Sequence, residues 1–94
     1  MIITSINGIE VQFTGEYNTL ITHHKDNSGM LAKISTLLSE HRINIAFMKL
    51  YREEKGLKAI GIIETDENIE QSVLAELMQL DGMINVNLIE KIYN

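Results

Sequence analysis

The residues able to do chemistry in this 94-residue chain gather in one stretch, Ile21-Thr-His-His-Lys-Asp-Asn-Ser-Gly-Met30. Asp26, Asn27 and Ser28 each carry a side chain that accepts a hydrogen bond from the orphan N–H groups of a first helical turn. The amides of Gly29 and Met30 then fall at the positive end of a helix dipole, a place suited to a carboxylate. The stretch therefore points to a small anionic or zwitterionic ligand. An ordinary strand-to-helix turn with no ligand uses the same residue types, so the pattern alone leaves both readings open.

Other chemistries find less support. No nucleophile–base pair stands out, and Ser28 in a capping position has no evident base. His23 and His24 are strand neighbours that point to opposite faces, so they cannot jointly hold one metal ion. The absence of cysteine excludes disulfides, zinc–thiolate sites, iron–sulfur ligation within the chain and cysteine nucleophiles, and suits a reducing cytoplasm. A net charge of -5 argues against nucleic acid, whose phosphates demand a basic face. Phe13, Tyr17, Phe47, Tyr51 and Tyr93 are the only aromatics, too few for a base-stacking sheet surface. No apolar run approaches the ~20 residues of a membrane span, and Met1-Ile-Ile-Thr-Ser5 is not a signal peptide.

The elements that must position the stretch follow from periodicity. Ile2 to Phe13 reads as a hairpin about Asn7-Gly8, residues that tolerate positive φ, with Ile9, Val11 and Phe13 alternating with Glu10 and Gln12. A strand runs from Tyr17 or Asn18 to about His24. A helix is predicted from Ser28 to His41, because Met30, Leu31, Ile34, Leu37 and Leu38 form one apolar stripe. Asn44 to Tyr51 is a second core strand, and Arg52-Glu53-Glu54-Lys55-Gly56 a charged, solvated hairpin tip. Leu57 to Glu64 is a third, placed centrally by the apolar run Ala59-Ile60-Gly61-Ile62-Ile63. A second helix is predicted over Asn68–Leu80, with Asn68 and Gln71 as a capping box. A last strand runs from Met83 to Ile92.

The order is β-α-β-β-α-β, the α+β ferredoxin-like arrangement of two helices on one face of an antiparallel sheet, preceded by a hairpin. Residues 1–16 read as a leader and 17–94 as the domain. Such a sheet leaves its other face and its edges open. A small domain with an uncovered sheet face and 45% hydrophobic residues is expected to pair with another copy.

His24-Lys-Asp-Asn-Ser-Gly29, a helix of about a dozen residues, and Arg42-Ile-Asn-Ile-Ala46 together resemble the ACT domain, the amino-acid-sensing module of metabolic enzymes. The leader Ile6-Asn-Gly-Ile-Glu-Val-Gln-Phe-Thr-Gly-Glu-Tyr17 is similar to the segment that precedes this domain in the β chain of bacterial iron–sulfur L-serine dehydratases. The ACT domain of D-3-phosphoglycerate dehydrogenases is a second resemblance. Two departures stand out. Ser28 occupies a position where the family usually has proline, which implies a less rigid loop. Arg42 stands where a helix-ending glycine is common, which implies strain or a shifted helix end.

The resemblance implies a site at an interface between two domains. A ligand carboxylate would sit on the amides of Gly29, Met30 and Leu31, its ammonium on Asp26 or on carbonyls of the facing chain, and Asn44 with His24 would read a serine hydroxyl. Asn27 and Ser28 complete the loop. The plainer readings are a capping Asp26, a strand-end His24 satisfied locally, and an Asn44 bonded to the loop backbone. The implied function is a regulatory domain that binds L-serine, pairs as a homodimer and modulates the catalytic part of a serine dehydratase, which deaminates serine to pyruvate and ammonia. A 4Fe-4S cluster is then expected in that catalytic part and no cofactor in this chain. The alternatives are a dimerisation module of the same enzyme without a ligand, a free-standing sensor, and the ACT domain of a D-3-phosphoglycerate dehydrogenase.

Overall fold

The computed structural model describes residues 2–6, 8–26, 29–53 and 57–90. Strands β1 (Ile2–Ile6) and β2 (Ile9–Phe13) pair antiparallel with Ile6 opposite Ile9 and Ile2 opposite Phe13. Gly8 turns between them at φ 81°, a left-handed conformation that costs glycine little. Asn7, expected to share that turn, lies outside the described residues.

After the hairpin come β3 (Asn18–Lys25), α1 (Met30–Glu40), β4 (Ile45–Arg52), β5 (Lys58–Thr65), α2 (Gln71–Met78) and β6 (Met83–Ile89). The four strands form one antiparallel sheet in the order β4-β5-β3-β6, which is the ferredoxin-like arrangement. The apolar run of β5 is central, as its composition demands. Residues 54–56 of the charged tip and 91–94 beyond β6 lie outside the described residues.

Strand alternation splits the core into two layers. Leu20 and Ile63 face the helices and pack with Met30, Ile34, Leu37 and Leu38 of α1 and Val73 and Leu77 of α2. Ile21, Ile60 and Ile62 face the other way and pack with Val11 and Phe13 of the hairpin. The expectation of an uncovered sheet face is therefore corrected. The wet side of β2, at Glu10 and Gln12, faces solvent, while its apolar side covers the central strands. Val11 and Phe13 are buried, and removing such side chains from water contributes about 1.5–3 kcal/mol each.

Both helices start later than the sequence predicts. Helix α1 begins at Met30 with Gly29 as N-cap, and α2 begins at Gln71 with Glu70 as N-cap, neither with a side-chain capping bond among the described residues. Asn68 forms no capping box. Its Oδ1 accepts a hydrogen bond from Asn18 Nδ2 at 2.9 Å, so a tie to β3 replaces the local cap. The end of α1 is a Schellman motif: Arg42 N–H donates to Ser39 O and Ile43 N–H to Leu38 O, both at 2.9 Å. Arg42 takes φ 59° there, where glycine is the usual occupant, and Ile43 and Leu38 share the helix-side core.

Candidate functional site

The stretch with chemistry forms the turn from β3 into α1. Backbone bonds to two neighbouring elements fix where that turn begins. Lys25 N–H donates to Gly82 O at 2.9 Å and Asp26 N–H to Leu57 O at 3.1 Å. Gly29 has helical backbone angles, φ -91° and ψ -13°, and its carbonyl accepts the first helical bond from Lys33 N–H at 3.0 Å. No side chain among the described residues caps α1, and first-turn amides at a helix start have the electrostatic character of an anion site.

Asp26 is not the helix cap. Its Oδ2 lies 3.4 Å from Arg52 Nε, with the Asp26 side chain 13% exposed and that of Arg52 71%. An ion pair with so exposed an arginine is weak and readily exchanged. Asn27 and Ser28 lie outside the described residues. The side chain of Met30 is fully buried in the helix-side core, and Leu31 is half-buried, so only their backbone groups are suited to a ligand.

His24 is buried at 1% exposure on the helix-facing side of β3. Its Nδ1 lies 3.0 Å from Lys25 O. A carbonyl only accepts, so Nδ1 is the donor, and in the neutral ring Nε2 is left as the acceptor. That Nε2 is out of water and has no hydrogen-bond partner among the described residues. Buried acceptors of this kind cost free energy unless a donor arrives.

Gly61, on β5 opposite Thr22, makes this arrangement possible. A Cβ at position 61 would fall 2.5 Å from Thr22 Oγ1 and 3.5 Å from His24 Nε2. The sequence carries a signal for it, since a lone glycine inside a strand marks a close approach. The partnership of Asp26 with Arg52 has no such signal, because it joins two turns far apart in the chain.

Asn44 stands elsewhere. It precedes β4, whose first residue Ile45 pairs with Thr65, which in turn pairs with Asn18 at the start of β3. Asp26 follows the far end of β3, eight residues or about 25 Å away. Asn44 N–H donates to Glu67 Oε1 and its Nδ2 to Asp66 Oδ2, both at 2.6 Å. Within one copy His24, Asp26, Gly29, Met30 and Leu31 thus lie at the β3–α1 end of the strand, and Asn44 lies towards its other end. Among the described residues no group of three histidine or carboxylate side chains could hold a metal ion, and no helix is long and apolar enough to cross a membrane.

A family model described as the ACT domain matches residues 18–82, starting with β3 and ending at the turn into β6. Among curated proteins, the chain is 33% identical over 93% of its length to the probable L-serine dehydratase β chain of Bacillus subtilis, of which it covers 40%. It is 31% identical over 94% of its length to the D-3-phosphoglycerate dehydrogenase of the same organism, of which it covers 17%. The chain thus spans well under half of the curated relatives it matches. Among solved structures, the ACT domain from the GTP pyrophosphokinase of Chlorobium tepidum superposes with a TM-score of 0.58 at 18% identity, over 77% of this chain and 95% of that one. The C-terminal domain of the MgtC protein from Mycobacterium tuberculosis gives 0.60 at 13% identity, over 85% and 93%. These two likenesses concern the fold.

Proposed function

The chain belongs to the ACT domain family, and we propose that it is the amino-acid-sensing part of a serine-metabolising enzyme, with L-serine as its ligand. The observation that carries this reading is His24 Nε2, a buried acceptor with no partner among the described residues, at the end of the strand that leads into the start of α1. A serine hydroxyl is a donor of the right kind for it. The ligand carboxylate sits on the amides of Gly29, Met30 and Leu31, and its ammonium replaces Arg52 at the Asp26 carboxylate. A site that bonds a hydroxyl in this way rejects alanine, because the acceptor then stays unpaired.

A second copy completes the pocket in this reading. Asn44 lies some eight strand residues from the loop of its own chain, so an Asn44 at the ligand comes from the partner. Ligand binding then favours one pairing geometry, and a tenfold coupling to the enzyme's activity corresponds to about 1.4 kcal/mol. The enzyme would be a cytoplasmic L-serine dehydratase, consistent with the 33% identity to a β chain of that description. Its iron–sulfur cluster would be held by another part of the enzyme, since this chain has no cysteine.

A thermal-shift series with all twenty amino acids tests the proposal. Serine alone should raise the unfolding temperature, with a stabilisation that follows RT ln(1 + [L]/Kd), about 2.7 kcal/mol at a hundredfold excess over Kd. Gly29→Val should remove the response and leave the fold intact. If no amino acid stabilises a dimer verified by sedimentation, sensing is wrong. The second reading, a module that only dimerises its enzyme, then stands; the half-exposed Phe47 and the exposed Met48 on the edge strand β4 favour it.

A further inference from the structure

A cavity of about 330 Å³ lies on the opposite side of the sheet from the helices. It opens where the end of the hairpin meets β4 and β5, and Phe13, Thr14, Tyr17, Phe47, Lys49 and Glu64 line it. Its walls are mostly apolar, and its volume is at the lower end of small-molecule sites. Phe13, Thr14 and Tyr17 lie outside the residues matched by the family model and Phe47, Lys49 and Glu64 within them, so this cavity forms where the additional segment meets the common fold.

Glu64 decides its chemistry. Alternation along β5 puts Glu64 on the same face as Ile60 and Ile62, directly opposite Phe47 of β4. The residue is only 2% exposed. Its Oε1 accepts from Thr14 N–H at 3.2 Å and from Thr14 Oγ1–H at 2.5 Å. No described residue bonds Oε2. Oε2 is not among the side-chain atoms closed off from solvent without a partner, and no cationic side chain is paired with this carboxylate among the described residues. The nearest cation in the sheet is Lys49, one position along the same face, whose Nζ sits 5.0 Å above the ring of Tyr51. The arrangement therefore offers a buried half-satisfied carboxylate at the base of an aromatic-walled cavity.

We propose that this cavity binds a primary ammonium carrying an apolar or aromatic body, with the ammonium on Glu64 Oε2 and the body between Phe13, Tyr17 and Phe47. The site is complete in one copy of the chain. None of its lining residues belongs to the β3–α1 loop. An ammonium of this kind belongs either to a plain amine or to an apolar amino acid, and Lys49 at the rim is placed to meet the carboxylate of the latter.

The test uses calorimetric or NMR titration of the full chain with phenethylamine, with 2-phenylethanol as the uncharged analogue and phenylalanine as the carboxylate-bearing one. Glu64→Gln keeps an oxygen for Thr14 and presents an amide instead of a charge. Phenethylamine should bind saturably, bind more tightly than 2-phenylethanol, and lose roughly ten- to a hundredfold in affinity in Glu64→Gln. Phe47→Ala, on an exposed edge, should weaken it too, and Asp26→Asn should leave it unchanged. Phenylalanine binding at least as well as the amine, with that parity lost in Lys49→Met, assigns the site to amino acids; weaker binding assigns it to plain amines. Both outcomes support an ammonium site. Amine and alcohol binding equally, affinity unchanged by Glu64→Gln, or no saturable binding at millimolar probe overturns it.

Discussion

The thioether of Met30 fills the space beside Gly82: a Cβ on the glycine would fall 2.8 Å from Met30 Sδ. The first residue of α1 is thus seated against the turn that leads into β6, and Gly82 O also accepts from Lys25 N–H. The β3–α1 loop is held in place by a contact and a hydrogen bond to the same glycine. Gly82 also takes φ 97°, where a side chain is strained whatever the space. Gly82→Ala should therefore cost about 1–3 kcal/mol in urea unfolding and weaken any response at the loop as well. A loss below a few tenths of a kcal/mol would contradict both the contact and the backbone argument.

Thr14 gives two donors to a carboxylate that is out of water. Thr14→Val keeps the shape and the N–H but removes the hydroxyl. Losing that bond should destabilise the chain by about 1–3 kcal/mol. Hydrogen exchange should show the loss first in β1 and β2, since the hairpin leaves the sheet before the sheet itself opens.

His24 is the opposite case, a buried polar group that the unliganded fold does not fully use. His24→Phe loses the bond to Lys25 O but also removes the unpaired Nε2. These effects offset each other, so the unfolding free energy should change by less than about 1 kcal/mol. The same variant should abolish the serine-dependent rise in unfolding temperature. A large loss of stability with the serine response intact would make His24 a structural residue only.

Arg42 occupies the left-handed position of the Schellman motif at φ 59°. Glycine there relieves the Cβ crowding but adds freedom to the unfolded chain. The net effect of Arg42→Gly should be a stabilisation of about 0.5–1 kcal/mol, read as a shift of the denaturant midpoint at constant slope.

The four-stranded sheet and its two helices were legible because their signals are periodic and local. The stripe Met30, Ile34, Leu37 and Leu38 and the run Ala59 to Ile63 admit few placements. The departure at Arg42 was legible for the same reason, since a motif position needing glycine is read from one residue. The helix starts were not. Asn68 and Gln71 make a capping box on paper, but Asn18, fifty residues earlier, takes the Asn68 oxygen. The role of the hairpin was hidden too, because alternation shows which face of β2 is apolar and not what that face covers. Glu64 followed from neither. As the last charged residue of an apolar strand it reads as an exit to solvent, and only the docked hairpin turns it inward.

The roofed side of the sheet also limits how copies of the chain can assemble. Val11 and Phe13 already occupy the ground over Ile21, Ile60 and Ile62, so two sheets cannot stack back to back without displacing a hairpin. Lateral growth through the rims remains, at β4 or at β6. A β4 rim meeting its own symmetry mate closes as a two-fold pair, whereas β4 meeting β6 would propagate as an open ribbon.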